Sequence, residues 1–149
     1  MSSDEMEPLV IGGRTLDPVI QAMRAMTAAA DAPPIDVLTP DQMREGMREG
    51  FAQTQPESRE MASIEDVSIP VDGGEIGCRL LVPKGVGDGS ALILYFHQGG
   101  CVIGDIDSCQ PFCTILAEEV GARVLIVGYR KGPEFKFPTA AEDAVASFE

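Results

Sequence analysis

Ala91-Leu92-Ile93-Leu94-Tyr95-Phe96 is an unbroken apolar run, followed at once by His97-Gln98-Gly99-Gly100. Such a run is far too short to cross a bilayer and suits a β-strand covered on both faces. Arg123 to Tyr129 reads as a second strand of the same kind. Between them, Ser108 or a neighbour is placed to cap a helix that runs to about Val120, and Gly121 is placed to end it. The order strand, helix, strand predicts a right-handed crossover that joins parallel strands.

Upstream of this unit the apolar period is two. Val67, Ile69 and Val71 share one face of a strand that begins near Ile64, and Ile76, Cys78, Leu80 and Val82 mark the next segment. Asp72-Gly73-Gly74 between them has hairpin chemistry, because glycine reaches positive φ without steric cost. Pro83 to Ser90 is a glycine-rich turn into the apolar run.

Further upstream the period becomes helical. Asp17-Pro18 reads as an N-cap with a first-turn proline, and Leu16, Val19, Ile20, Met23 and Met26 recur at helical spacing up to an end near Asp31. Thr39-Pro40-Asp41-Gln42 has the T-x-x-Q form of a capping box, and Met43, Met47 and Phe51 mark the buried stripe of a second helix. Gly46 and Gly50 weaken that helix and Pro56 ends it. Helix packing is the expected role of these methionines, ahead of a plastic binding surface. A last helix starts near Pro138.

Two blocks carry a family resemblance. Tyr95-Phe96-His97-Gln98-Gly99-Gly100-Cys101-Val102-Ile103-Gly104-Asp105 resembles the H-G-G-G-F-x-x-G-[DS] signature of the hormone-sensitive-lipase-like α/β-hydrolases, which include many bacterial esterases. Tyr129-Arg130-Lys131-Gly132-Pro133-Glu134-Phe135-Lys136-Phe137-Pro138, with Ala140-Ala141-Glu142-Asp143, is similar to the family's D-Y-R-L-A-P-E-x-x-F-P-A-A-x-E-D run. The resemblance implies an α/β fold: the N-terminal half of an α/β-hydrolase core at residues 61–149, an antiparallel hairpin leading into a parallel β-α-β crossover. Two cap helices within residues 1–60 would precede it. The implied activity is hydrolysis of small-molecule carboxylic esters of short acyl chains, with no cofactor.

Ester hydrolysis passes through a tetrahedral oxyanion, and one backbone N–H aimed at that oxygen lowers the barrier by about 3 kcal/mol. Glycines let the backbone approach that closely. By resemblance, Gly99 and Gly100 are the oxyanion-hole residues. His97, the only histidine, then shapes the loop through hydrogen bonds and is not a general base. Tyr129, Arg130, Glu134 and Asp143 match positions that hold the sheet edge and loops together, with an Arg130–Glu134 ion pair as one expected contact. The chain departs from the family at Gln98, which replaces the first glycine of the motif, and at Gly128, which replaces an aspartate. Lys131-Gly132 stands for Leu-Ala, and Phe135 for a residue that is often histidine.

None of the eight serines lies in a G-x-S-x-G turn; Gly89-Ser90 comes closest and lacks the second glycine and a preceding strand. No nucleophile can be named, and the chain is expected to end before that turn and to be inactive alone. By resemblance a further strand would flank Ala91–Phe96, so without it this strand becomes an open apolar edge that invites self-association. Two other readings use the same residues: a non-catalytic ligand-binding or interaction protein on this scaffold, and a degenerate remnant.

Charge and cysteines narrow the remaining classes. With 24 acidic and 11 basic residues the formal charge is −13, which repels nucleic acid and anionic membranes. Cys78, Cys101, Cys109 and Cys113 include no C-x-x-C pair and are joined by no second histidine, so no metal site is expected. Met1 to Glu5 lack the basic flank and apolar stretch of a signal peptide, and a cytoplasmic location with reduced thiols is expected.

Overall fold

A computed structural model describes residues 7–29 and 33–149. The chain divides between Leu38 and Thr39 into two compact units. The expected cap segment, to residue 60, is a division by role, whereas this one follows contacts and leaves the second expected helix with the larger unit.

The first unit begins with a small hairpin, β1 (Val10–Ile11) and β2 (Arg14–Thr15), whose loop Gly12-Gly13 has φ of 57° and 77°. Sequence reasoning missed it, although a Gly-Gly pair flanked by β-branched residues is a two-residue turn signal. Helix α1 (Pro18–Ala29) follows. Asp17 caps it as expected, its Oδ1 accepting from the N–H of Val19 at 2.8 Å. The expected helix end near Asp31 lies outside the described residues. No residue of α1 is buried, so the stripe of Val19, Ile20, Met23 and Met26 has no core within this unit.

The second unit opens with α2 (Pro40–Thr54), where the capping box forms in both directions: Thr39 accepts from the N–H of Gln42, and Gln42 accepts from that of Thr39. Met43, Met47 and Phe51 are half-buried. Next come β3 (Met61–Val71) and β4 (Gly74–Pro83), antiparallel, with Val71 opposite Gly74 across a two-residue turn. After β5 (Leu92–Phe96), α3 (Ile106–Val120) crosses to β6 (Arg123–Val127), and β5 and β6 run parallel as predicted. Asp105 and Ser108 form the capping box of α3, and Gly121, at φ 67°, ends it in the left-handed conformation. Helix α4 (Thr139–Ala146) closes the chain.

The sheet order is β3-β4-β6-β5. Strand alternation distributes side chains to two cores. Leu81, Val124 and Ile126 face α3 and pack on Cys109, Cys113 and Ala117. Ile76, Cys78, Leu125 and Val127 point the other way, with Tyr129 and Ala140 against them. Among the described residues β5 has β6 as its single strand neighbour, so its outer edge is open, and Leu92 and Phe96 are exposed. No described helix is long and apolar enough to cross a membrane.

Candidate functional site

The candidate site is the loop from His97 to Asp105, at the C-terminal end of the parallel strand β5, where open α/β sheets bind ligands. His97 is buried immediately after the strand. Its ring stacks on Tyr129, which follows β6, with centroids 4.3 Å apart and planes at 17°. The Tyr129 hydroxyl donates to the His97 carbonyl at 2.7 Å, and His97 Nδ1 lies 3.0 Å from the Gln98 carbonyl oxygen. Since that oxygen can only accept and the tyrosine proton is committed, Nδ1 carries the imidazole proton. Nε2 has no partner among the described residues. Burial pushes the His97 pKa below its ordinary value, with the Gln98 carbonyl opposing in part and Lys131 adding to the drop.

Beyond His97 the backbone turns through three residues of positive φ: Gly99 at 131°, Gly100 at 60° and Cys101 at 58°. Gly99 is required for space as well, because a Cβ there would overlap the Ile103 carbonyl. Gln98 is absent from the positive-φ residues, so its replacement of a glycine costs no backbone strain. Its Oε1 accepts from the Tyr95 hydroxyl at 3.3 Å. The N–H groups of Val102 and Ile103 both bond to the Gly99 carbonyl, at 3.1 and 3.0 Å, whereas those of Gly99, Gly100 and Cys101 have no acceptor among the described residues. Consecutive free N–H groups in a left-handed turn form a concavity suited to an anion.

The other expected residues fall into two ion-pair groups. Arg130 grips Asp143: Nη2 donates to Oδ1 at 2.6 Å, Nε to both oxygens at 3.1 Å, and the backbone N–H of Arg130 to Oδ2 at 2.8 Å. Arg130 Nη1 also donates to the Asp72 carbonyl, tying α4 to the β3–β4 turn. Burial alone would raise the Asp143 pKa, but the hydrogen bonds from Arg130 together hold it below the usual carboxylate range. The expected Arg130–Glu134 pair is not formed. Asp143, wholly buried on α4, takes the Arg130 guanidinium, and Glu134 goes instead to Arg44 of α2, which donates to its two oxygens at 2.8 and 2.7 Å. That fork holds the Glu134 pKa down to about 2.

Arg44 was missed by sequence reasoning. It also donates to the carbonyls of Val102, at 2.9 Å, and Gly132, at 2.8 Å. The signal was available: residues 44, 47 and 51 lie at i, i+3 and i+7, so Arg44 shares a helical face with Met47 and Phe51, and a cation on a half-buried face needs partners. Lys131, which departs from the family pattern, donates to the Gly104 carbonyl, and burial lowers its pKa.

Residues 93–149 match a family described by the alpha/beta hydrolase fold. The chain is 33% identical to a carboxylic ester hydrolase, LipN, of Mycobacterium tuberculosis, over 94% of its own length and 37% of the relative's. It is 35% identical to an ethyl acetate hydrolase of Pseudomonas putida, over 85% and 41%. Among solved structures, a hyperthermophilic esterase of the archaeon Pyrobaculum calidifontis superposes with a TM-score of 0.79 at 30% identity, over 89% of this chain and 42% of that one. The chain therefore spans about two fifths of the length of the relatives it matches. The paired motifs, the hairpin leading into a parallel crossover and these likenesses converge: the chain belongs to the hormone-sensitive-lipase-like family of α/β-hydrolases and carries the N-terminal part of their fold.

Proposed function

We propose that this chain supplies the oxyanion-binding part of a serine carboxylesterase that acts on small-molecule esters. The N–H groups of Gly99 and Gly100 donate to the oxygen of the tetrahedral intermediate, with that of Cys101 beside them. The observation that carries this is the run of three N–H groups without an acceptor among the described residues, in a left-handed turn at the C-terminal end of β5. His97 and Tyr129 shape the loop from below, and Arg130 with Asp143 anchors the segment after β6. Residues 1–60 act as the start of a cap. The name of the Pseudomonas putida relative, ethyl acetate hydrolase, supports a short acyl chain. A cytoplasmic location, where thiols such as these four stay reduced, is part of the same reading.

The 149 residues contain no G-x-S-x-G turn, so the serine comes from outside them and the chain alone has no turnover. The test is hydrolysis of p-nitrophenyl butyrate by the purified chain and by variants with each serine changed to alanine. Equal background rates are expected; turnover that one serine abolishes would overturn the assignment. The open edge of β5 is also proposed to pair with a second strand, and Leu92→Lys should shift the chain toward monomer by light scattering. A wild-type chain that is already a monodisperse monomer would refute the pairing.

A further inference from the structure

In a trans peptide the carbonyl of one residue and the N–H of the next point in opposite directions, so whatever grips the carbonyl sets where the N–H looks. The loop after β5 is gripped almost entirely by its carbonyls. Gly99 O accepts the N–H groups of Val102 and Ile103, and Cys101 O accepts that of Gly132 at 2.8 Å. Val102 O accepts from Arg44 Nε at 2.9 Å, and Gly104 O from Lys131 Nζ. The opposite ends of three of these units are bound as well. The Val102 and Ile103 N–H groups end on Gly99 O, and that of Asp105 ends on Ser108 Oγ at 2.9 Å.

Peptide units 101–102, 102–103 and 104–105 are thus fixed at both ends, and unit 99–100 is fixed by its carbonyl, which leaves the Gly100 N–H facing the other way. Two of the grips are cations from outside the loop, one on α2 and one after β6. Arg44 is itself held in place by the Glu134 carboxylate and the Gly132 carbonyl, and the Gly132 N–H holds Cys101 O. Neither Arg44 nor Lys131 belongs to the two apolar clusters that stabilise the sheet.

We propose that Arg44 and Lys131 are positioning residues for the oxyanion donors: by holding the Val102 and Gly104 carbonyls they keep the turn in which Gly99 O is bound by the Val102 and Ile103 N–H groups, and in which those of Gly99, Gly100 and Cys101 stay available to an anion. This rests on the oxyanion role proposed above. Lys131 stands where the family signature has an apolar residue, so this half of the clamp is a feature of this chain.

The test uses the whole chain, labelled with ¹⁵N, and methylphosphonate as a tetrahedral anion. In the wild type the amides of Gly99, Gly100 and Cys101 should shift on titration. Arg44→Gln and Lys131→Met should each weaken binding about tenfold or more, the size expected from losing one hydrogen bond to a charged group. Lys131→Arg should restore it. In both neutral variants hydrogen exchange at Val102 and Ile103 should rise about tenfold, as for a local opening, while β6 stays protected. Wild-type affinity and unchanged exchange in both variants would overturn the clamp, as would loss of β6 protection, which would assign these residues to the fold. If faster loop exchange is seen but the wild-type amides ignore methylphosphonate, the grip is real and the oxyanion role is what fails.

Discussion

Strands β5 and β6 are parallel neighbours of equal length and similar apolar composition, yet they have different environments. Val124, Ile126 and Val127 of β6 are completely buried, whereas Leu92 and Phe96 at the two ends of β5 are 45% and 39% exposed. The difference lies in neighbours. Strand β6 has β4 on one side and β5 on the other, with α3 over one face and Tyr129 and Ala140 against the cluster on the other. Among the described residues strand β5 has one neighbour, and its outer N–H and C=O groups face away from the sheet. An apolar run states how much burial a strand can use; the strands beside it decide how much it receives.

Equal truncations should therefore cost unequal amounts. Ile126→Ala should lower the unfolding free energy by about 3 to 4 kcal/mol, since it opens a cavity between β6 and α3. Leu92→Ala should cost about 1 kcal/mol or less, because nearly half of that side chain is already in water. Urea denaturation of the two variants measures both. Equal losses would mean that the faces of β5 are covered in solution as well as its edge, and dilution should then separate them again.

This asymmetry marks the limit of what the residues disclosed. The crossover, the hairpin and the capping of α3 were legible because each is written locally: period two, Asp72-Gly73-Gly74, and Gly121 after an apolar helix. The open edge of β5 could be anticipated only from the family's strand order, since nothing within Ala91–Phe96 distinguishes an edge from a centre. Ion-pair partners were illegible for a related reason. Arg130 and Glu134 are close in sequence, but Asp143 lies on the buried side of α4 and Arg44 is 90 residues from Glu134. Pairing depends on which elements pack together, and sequence spacing reports that only within one helix or strand.

The glycines that end the two strands sharpen the contrast. Gly128 follows β6 and donates to the Gly77 carbonyl at 3.0 Å, so close that a Cβ would overlap that oxygen. Gly100, after β5, has open space around its Cβ position but a φ of 60°. Gly128→Ala must push β4 and β6 apart and should cost about 2 kcal/mol, in the range of overpacked cores. Gly100→Ala meets only the left-handed backbone penalty, about 1 kcal/mol. Thermal unfolding should rank them in that order. The reverse ranking would show that the end of β6 yields more easily than the loop after β5.

The smallest effect concerns the contact that joins the two strand ends, the stack of His97 on Tyr129. Burial depresses the His97 pKa in the folded chain, so the unfolded chain binds its proton at a higher pH than the folded one does. The stabilisation from neutral His97 is therefore complete above the unfolded value of about 6.5 and is lost as pH falls below it. One proton limits the slope to about 1.4 kcal/mol per pH unit. The carboxylates held low by arginines, Glu134 and Asp143, contribute stability that is present above about pH 4 and lost only below it, so the two windows separate. Urea midpoints measured from pH 7.5 downward should begin to fall near 6.5, well before the carboxylate window. His97→Gln should flatten that first decline and leave the second. A wild-type midpoint constant between those windows would mean that the imidazole has found solvent, and that the end of β5 is as open as its edge.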